Sequence, residues 1–399
     1  MTTVMIAFTF PGQGSQAPGM GEAWIEHPSW ELVSEASDAS ERDVEHLLLR
    51  ADAEELRQTR NSQLATYVLS MVVLDAVERT GVEPAFFAGH SLGEYSALTA
   101  AGVLSFSDGV RLVTERGDAM QAAAEAATGT MAAVLGLDDD KVDLACRRTD
   151  GDVWVANYNA PGQVVIAGDP AAIELAAEAA RELGAKRVMP IKVGGAFHTP
   201  FMSPARDRLR KALADVELRP ASNPVFANID ALPHTEGEIW SSLLGAQLTA
   251  PVQWRQTLHA LRDAGATVLL ELGPGTVLTG MAKRTIQGTT NLSIGSPSEV
   301  DSLLESLAHA SEGGAAGLEG ETLHAVERLV VSPATGVFTP RAGLTEGTPV
   351  SRGEVVGLVG SAEVRSAFAG LLQGMLALTG ERVTTSQPLA WLRTDSIGA

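Results

Sequence analysis

Phe86-Phe87-Ala88-Gly89-His90-Ser91-Leu92-Gly93-Glu94-Tyr95-Ser96-Ala97-Leu98 is the stretch that decides the fold. Its apolar start reads as a buried strand, Gly89-x-Ser91-x-Gly93 as a sharp turn, and the Leu- and Ala-rich run over 92–101 as a helix. Strand, turn and helix with a serine at the bend make the G-x-S-x-G nucleophile elbow. The glycines remove side chains that would collide where strand becomes helix, which leaves the serine hydroxyl exposed at the helix N-terminus. A free hydroxyl is a poor nucleophile, so the elbow carries chemistry only beside a base and an oxyanion hole.

Outward from the elbow, residues 4–10 read as a first strand that runs into Pro11-Gly12-Gln13-Gly14-Ser15-Gln16. This glycine-rich loop lacks the Lys-Ser/Thr pair of a phosphate loop and the dinucleotide glycine spacing. It fits a loop that brings a backbone N–H close to a ligand. Helices are expected over 52–80 and 105–127, the second carrying Arg116, although a lone helical arginine is usually solvated or salt-bridged. From Met131 the rhythm tightens: strand 131–137, helix 138–148, strands 153–157 and 163–167, helix 170–183, strand 187–193. That β-α-β-β-α-β order is the ferredoxin-like pattern, here inserted in a larger α/β domain. Gly194-Gly195-Ala196-Phe197-His198-Thr199-Pro200 sits at its exit and offers a loop histidine as a base. Strands of the main sheet resume at 224–228 and 267–271.

The 399 residues leave room for two or three domains, and 45% hydrophobic with 20% charged residues is ordinary globular composition. A single cysteine, Cys146, excludes an intramolecular disulfide and any cysteine-built metal site; within a helical run it reads as a buried structural thiol. Residues 1–10 carry no basic n-region, and no apolar run is long enough to span a bilayer, so a cytoplasmic chain with no membrane partner is expected. The net charge of −20 argues against nucleic acid as a partner, because phosphate would be repelled.

Six stretches then converge on a family. FPGQGSQ (10–16), GHSLGEYSAL (89–98), NYNAPGQVVIAG (157–168), GAFHTPFM (195–202), APVQW (250–254) and ELGPG (271–275) follow one another in order. Together they resemble malonyl-CoA:acyl carrier protein transacylase over about the first three-quarters of the chain. The resemblance implies an α/β-hydrolase-like large domain (1–128 and 199–310) with a ferredoxin-like subdomain (129–198) inserted, and ping-pong acyl transfer. It makes Ser91 the nucleophile and His198 its base, with the amides of Gln13 and Leu92 as the oxyanion hole. Arg116 would hold the free carboxylate of a malonyl group, and Asn157 and Asn159 would support the site. A main-chain carbonyl at Gln253 would orient the histidine in place of an acidic third member. Phe197 matches the malonyl-selective form of the motif, where the branched-extender form has serine. Malonyl-CoA and acyl carrier protein are the implied partners. Coenzyme A and phosphopantetheine thioesters enter as substrates; neither cofactor nor metal is expected, and a monomer is the family-based expectation.

Beyond residue 310 the resemblance ends. Residues 311–322 are Gly-, Ala- and Glu-rich and read as a linker. In 323–399 the sequence echoes itself: Ser332-Pro-Ala-Thr-Gly336-Val-Phe against Ser366-Ala-Phe-Ala-Gly370-Leu-Leu. Short strands with glycine turns indicate a small all-β domain of two similar halves. It resembles a biotinyl/lipoyl-like flattened barrel, but no lysine follows Lys283, so the modified lysine of such domains is missing. A docking or packing module remains.

Other function classes stay open at this level. An acyl-thioester hydrolase would use the same elbow with water as acceptor. A stand-alone polyketide-synthase acyltransferase would differ only in its pathway. A scaffold built on a dead enzyme is disfavoured by the intact Ser91 and His198. Arg206, Arg208, Arg210 and Lys211, with Lys283 and Arg284, form the basic clusters on which an acidic carrier protein could dock.

Overall fold

The computed structural model describes residues 4–312, 327–385 and 387–393. The chain divides into two compact units, residues 1–78 with 83–302, and residues 79–82 with 303–399.

In the first unit, β1 (Ile6–Phe10) and β2 (Phe86–Gly89) pair in parallel, with Phe10 opposite Gly89. Every residue of both strands is buried, as expected where a parallel sheet is covered on both faces. The register brings the loops after both strands out side by side, tied by His90 N–H donating to Phe10 O at 3.0 Å. Helix Thr59–Glu78 is buried along nearly its whole length, packed chiefly against helix Phe106–Ala126, which draws the polar Gln63 inside.

The chain then leaves the main sheet. Strands β3 (Thr130–Leu135), β4 (Val153–Ala160), β5 (Gln163–Gly168) and β6 (Arg187–Ile191) form an antiparallel sheet in the order β4-β5-β3-β6. Helices Asp139–Arg148 and Pro170–Glu182 cross over, each bringing alanine and β-branched side chains to one apolar cluster with Val134, Val164 and Ile166. Cys146 lies in that cluster, and burial pushes its thiol up to about 12, so it stays a protonated packing group.

Strands β7 (Val225–Phe226), β8 (Pro233–His234), β9 (Val268–Leu272) and β10 (Thr290–Ile294) return to the first sheet and complete the order β10-β9-β1-β2-β7-β8. All neighbours are parallel except β7 and β8. The strand expected over 224–228 is therefore short. The backbone beyond Phe226 is drawn away: Ala227 N–H donates to Leu232 O, and Asn228 turns toward the elbow. Among the described residues no helix is long and apolar enough to cross a membrane.

The second unit holds β11 (Glu327–Val331), β12 (Gly336–Pro340), β13 (Pro349–Val350), β14 (Val355–Val359), β15 (Ala362–Arg365), β16 (Gly370–Met375), β17 (Arg382–Val383) and β18 (Pro388–Arg393). They form two antiparallel four-stranded sheets, β11-β18-β16-β13 and β15-β14-β12-β17, around a core that includes Phe338, Val356, Leu372 and Leu392. The internal echo is visible atom by atom. Ser332 Oγ donates to Ala334 O and Ser366 Oγ donates to Phe368 O, each at 2.6 Å and each from a buried serine. β14 and β15 meet at a Gly360-Ser361 turn, which carries no lysine.

One boundary is corrected. Helix Pro297–Glu312 runs through the start of the expected linker, because Glu, Leu, Ala and Ser at 304–312 are compatible with helix and neither Gly nor Pro intervenes. Residues 313–322 of that linker lie outside the described residues.

Candidate active site

The elbow sits at the carboxyl end of β2, the end at which open α/β sheets bind ligands. Ser91 has φ of 54°, the left-handed region that a non-glycine residue enters only when its surroundings hold it there. Those surroundings are visible. Ser91 N–H donates to Asn228 Oδ1 at 2.6 Å, and Asn228 Nδ2 donates to Gly89 O at 2.6 Å. The flanking glycines are required by close approach: a Cβ on Gly89 would lie 1.9 Å from Gly93 O, and one on Gly93 would lie 2.0 Å from Phe10 O. Because the colliding atoms are backbone, Gly89→Ala is expected to cost about 3 kcal/mol or more and lower the thermal unfolding midpoint by several degrees. A wild-type midpoint would contradict the elbow geometry.

His198, also at positive φ (60°), projects from the loop after β6 toward this bend and is 4% exposed. Its Nε2 lies 2.8 Å from Ser91 Oγ and its Nδ1 2.8 Å from the main-chain O of Gln247. A carbonyl can only accept, so Nδ1 carries the proton and Nε2 presents a lone pair to the serine O–H.

Arg116, from helix Phe106–Ala126, is 1% exposed. Its Nη1 donates to Gln63 Oε1 at 2.6 Å; its Nη2 donates to Gln247 Oε1 at 2.9 Å and to Ser91 Oγ at 3.1 Å. The guanidinium carbon lies 5.4 Å from the centre of the Tyr95 ring, and among the described residues Nε has no partner. A desolvated guanidinium fixed by neutral amides, with no carboxylate bonded to it among the described residues, can receive an anion.

A cavity of about 170 Å³ opens over Ser91. Gln13, His90, Asn157, Asn159, Phe197 and His198 line it, with Met120, Met131 and Met281 as apolar wall. Asn159 Oδ1 takes a 2.8 Å hydrogen bond from His90 Nε2, while Asn157 bridges β4 to Val252. Among the described residues neither the Gln13 nor the Leu92 amide N–H has an acceptor, and both follow strand ends beside the serine. Two free donors there can receive a developing oxyanion.

A family model described as the acyl transferase domain matches residues 7–304. The chain belongs to the acyl transferase domain family. The malonyl CoA-acyl carrier protein transacylase of Bacillus subtilis is 39% identical to the acyltransferase over 312 residues, covering 77% of this chain and 98% of the relative. The malonyl CoA-acyl carrier protein transacylase of Escherichia coli K12 is 41% identical over 304 residues, covering 75% and 98%. Among solved structures, a malonyl-transacylase in complex with its type II PKS acyl-carrier protein superposes with a TM-score of 0.73 at 38% identity, covering 76% of this chain and 99% of that one. All eight strands of the second unit, β11–β18, fall outside residues 7–304.

One expected site residue is misplaced in the acyltransferase. Gln253 does not orient the histidine; Gln247 does, six residues earlier. Gln253 O is taken by Thr257 N–H (2.9 Å) and Thr257 Oγ1 (3.2 Å), because Gln253 precedes the first turn of helix Trp254–Asp263. Gln247 ends helix Trp240–Gln247, and a carbonyl in a helix's last turn has no partner within the helix. Gln63, Glu94, Asn228 and Gln247 carry no role in the sequence reading, although each is a polar side chain in or beside an apolar run. Of the basic cluster, Arg208 is engaged by Glu115 in a two-pronged pair at 2.9 and 3.0 Å and Arg206 by Asp207. Neither lines the cavity.

Burial, then the Arg116 charge, holds the His198 imidazolium well below its usual range, to about 3, against the pull of the Gln247 carbonyl. The neutral base is therefore present throughout the neutral and mildly acidic range and is lost only as pH falls toward that value. The free-enzyme profile, kcat/KM for malonyl loading against pH, should stay flat from about pH 8 down to about pH 5. An acid limb centred near 6.5 would contradict the burial of His198.

Proposed function

We infer that the chain transfers a malonyl group from malonyl-CoA to the phosphopantetheine thiol of an acyl carrier protein through a seryl ester. The observation that carries this reading is the Arg116 guanidinium 3.1 Å from the Ser91 oxygen, beside a His198 set as base. As Ser91 Oγ attacks the thioester carbon, His198 Nε2 takes the hydroxyl proton, and the oxyanion forms between the Gln13 and Leu92 amides. Removing one such donor typically costs about 3–4 kcal/mol. The carbon–sulfur bond then breaks and the leaving thiolate takes the proton from His198. In the second half-reaction the carrier thiol gives its proton to His198 and attacks the seryl ester, which returns Ser91 as an alcohol. Malonyl places a carboxylate two carbons from the reacting carbonyl, within reach of Arg116; acetyl has nothing to offer it. Phe197 in the cavity wall disfavours a branched acyl group. Every step has a side chain or amide of this chain behind it, so no cofactor is required.

We assign the larger layer of the first unit to the α/β-hydrolase-like class, on the elbow at the end of β2. We assign the four strands β3–β6 to the ferredoxin-like class, on their order and antiparallel pairing. The second unit is assigned as a biotinyl/lipoyl-like barrel whose hairpin has lost its lysine, on the paired serine turns and the exchange symmetry of its two sheets. A cytoplasmic monomer that binds neither nucleic acid nor membrane completes the reading.

The test is to supply malonyl-CoA with a holo acyl carrier protein and to follow acyl-carrier product against free malonate. Product on the carrier, with hydrolysis slower by at least about tenfold, is expected. Malonate outpacing transfer would replace the transferase with a thioester hydrolase. Fatty-acid and polyketide carriers run in parallel would separate the two pathways, the second of which is favoured only by the structural neighbour's type II PKS partner.

A further inference from the structure

Behind Ser91 lies one acidic group that the chemistry above does not use. Glu94 follows the nucleophile by three residues, on helix Gly93–Ala100, and is 1% exposed. Its Oε1 accepts the Asn228 N–H at 2.6 Å and its Oε2 accepts Gln247 Nε2 at 2.6 Å. Burial pushes this carboxyl up to about 8, outweighing the downward pull of the Asn228 N–H, the Gln247 amide and the Arg116 charge.

Gln247 is where the network branches. Its Nε2 also donates to Ser91 O at 2.8 Å, its Oε1 accepts from Arg116 Nη2, and its main-chain O holds His198. One side of the amide therefore faces two groups that accept, a carboxylate and a carbonyl, and the other faces a guanidinium that only donates. Only one orientation satisfies all three partners. Glu94 reinforces it, since both of its carboxyl oxygens are engaged by N–H donors.

We propose that Glu94 is a positioning residue for acyl-group selection: its carboxyl oxygen locks the Gln247 amide so that Gln247 Oε1 aims the Arg116 guanidinium at the acyl group on Ser91. With Arg116 as the malonyl anchor for its premise, this deepens the reading above.

Glu94→Gln tests the lock without changing shape. An amide at 94 can present oxygen to only one of its two N–H partners, so an NH₂ group must face either Asn228 N–H or the Gln247 nitrogen. Relief by turning the Gln247 amide over would bring its NH₂ against Arg116. The measurement is the ratio of seryl-ester loading rates from malonyl-CoA and acetyl-CoA in wild type, Glu94→Gln, Gln247→Leu and the double variant, with thermal midpoints alongside. The ratio should fall at least tenfold in each single variant and no further in the double. A Glu94→Gln ratio within twofold of wild type, whatever its midpoint, overturns the proposal and makes Glu94 a packing residue. Losses that multiply in the double variant also overturn it, because Glu94 would then not act through Gln247. If Glu94→Gln does not fold, Gln247→Leu decides: a tenfold fall supports the lock and an unchanged ratio overturns it. A wild-type ratio near one would overturn the malonyl reading along with it; a high wild-type ratio retained in the variants overturns the lock alone.

Discussion

Ser91→Ala should leave no acyl-enzyme and lower malonyl transfer by at least about 10⁴-fold, the range seen when the nucleophile of a serine–histidine pair is deleted. Among the described residues the Ser91 hydroxyl oxygen is the one nucleophile placed 2.8 Å from His198 Nε2, and it is also the atom Arg116 Nη2 contacts. Alanine keeps the elbow's backbone, whose restraints come from Asn228 and the flanking glycines. Folding should therefore be nearly preserved, as read by the thermal midpoint. A Ser91→Ala protein that still forms a malonyl adduct would place the chemistry on another residue.

The second large effect is on selection. Arg116→Ala removes a guanidinium that is 1% exposed and would be paired to the malonyl carboxylate in a dry site. Losing one partner of such a buried charge pair costs about 2–5 kcal/mol, or roughly 30- to several-thousand-fold in malonyl kcat/KM. Acetyl loading loses no ionic partner, so the malonyl-to-acetyl ratio should collapse toward one. Arg116→Lys should recover only part of the ratio, since an ammonium lacks the planar fork that meets a carboxylate with two parallel hydrogen bonds. Because the ratio does not depend on the fraction of folded enzyme, it separates selection from damage. A ratio preserved in Arg116→Ala would move the anchor elsewhere.

Much of this was legible in the sequence because it depends on local pattern. The elbow's glycines announce a turn that only a missing Cβ allows, and the alternation of strand and helix over 130–191 reproduces the observed elements within a few residues. The serine echo at 332 and 366 likewise marked a repeat that returns as two matching serine turns in the all-β second unit. What the sequence hid was the choice among polar groups that lie close in space and far apart along the chain. Gln247 and Gln253 flank the same turn, and which carbonyl reaches His198 depends on which one its own helix has already consumed. Gln63 and Glu94 sit in helices rich in leucine, alanine and valine, where a buried polar side chain signals a partner but not its identity. Arg116 is the sharpest case. On the sequence it reads as an ordinary surface arginine, and its burial follows from the packing of helices Thr59–Glu78 and Phe106–Ala126 against each other.

The most direct test of the acyl-transfer chemistry is the intact mass of the protein after brief exposure to malonyl-CoA, with acetyl-CoA in parallel and Ser91→Ala as control. A single malonyl adduct on wild type, absent from Ser91→Ala and weak or absent with acetyl-CoA, is the predicted result. An unmodified wild-type mass with no coenzyme A released would contradict it. So would equal labelling by malonyl and acetyl groups, since the buried guanidinium would then not be selecting the acyl group.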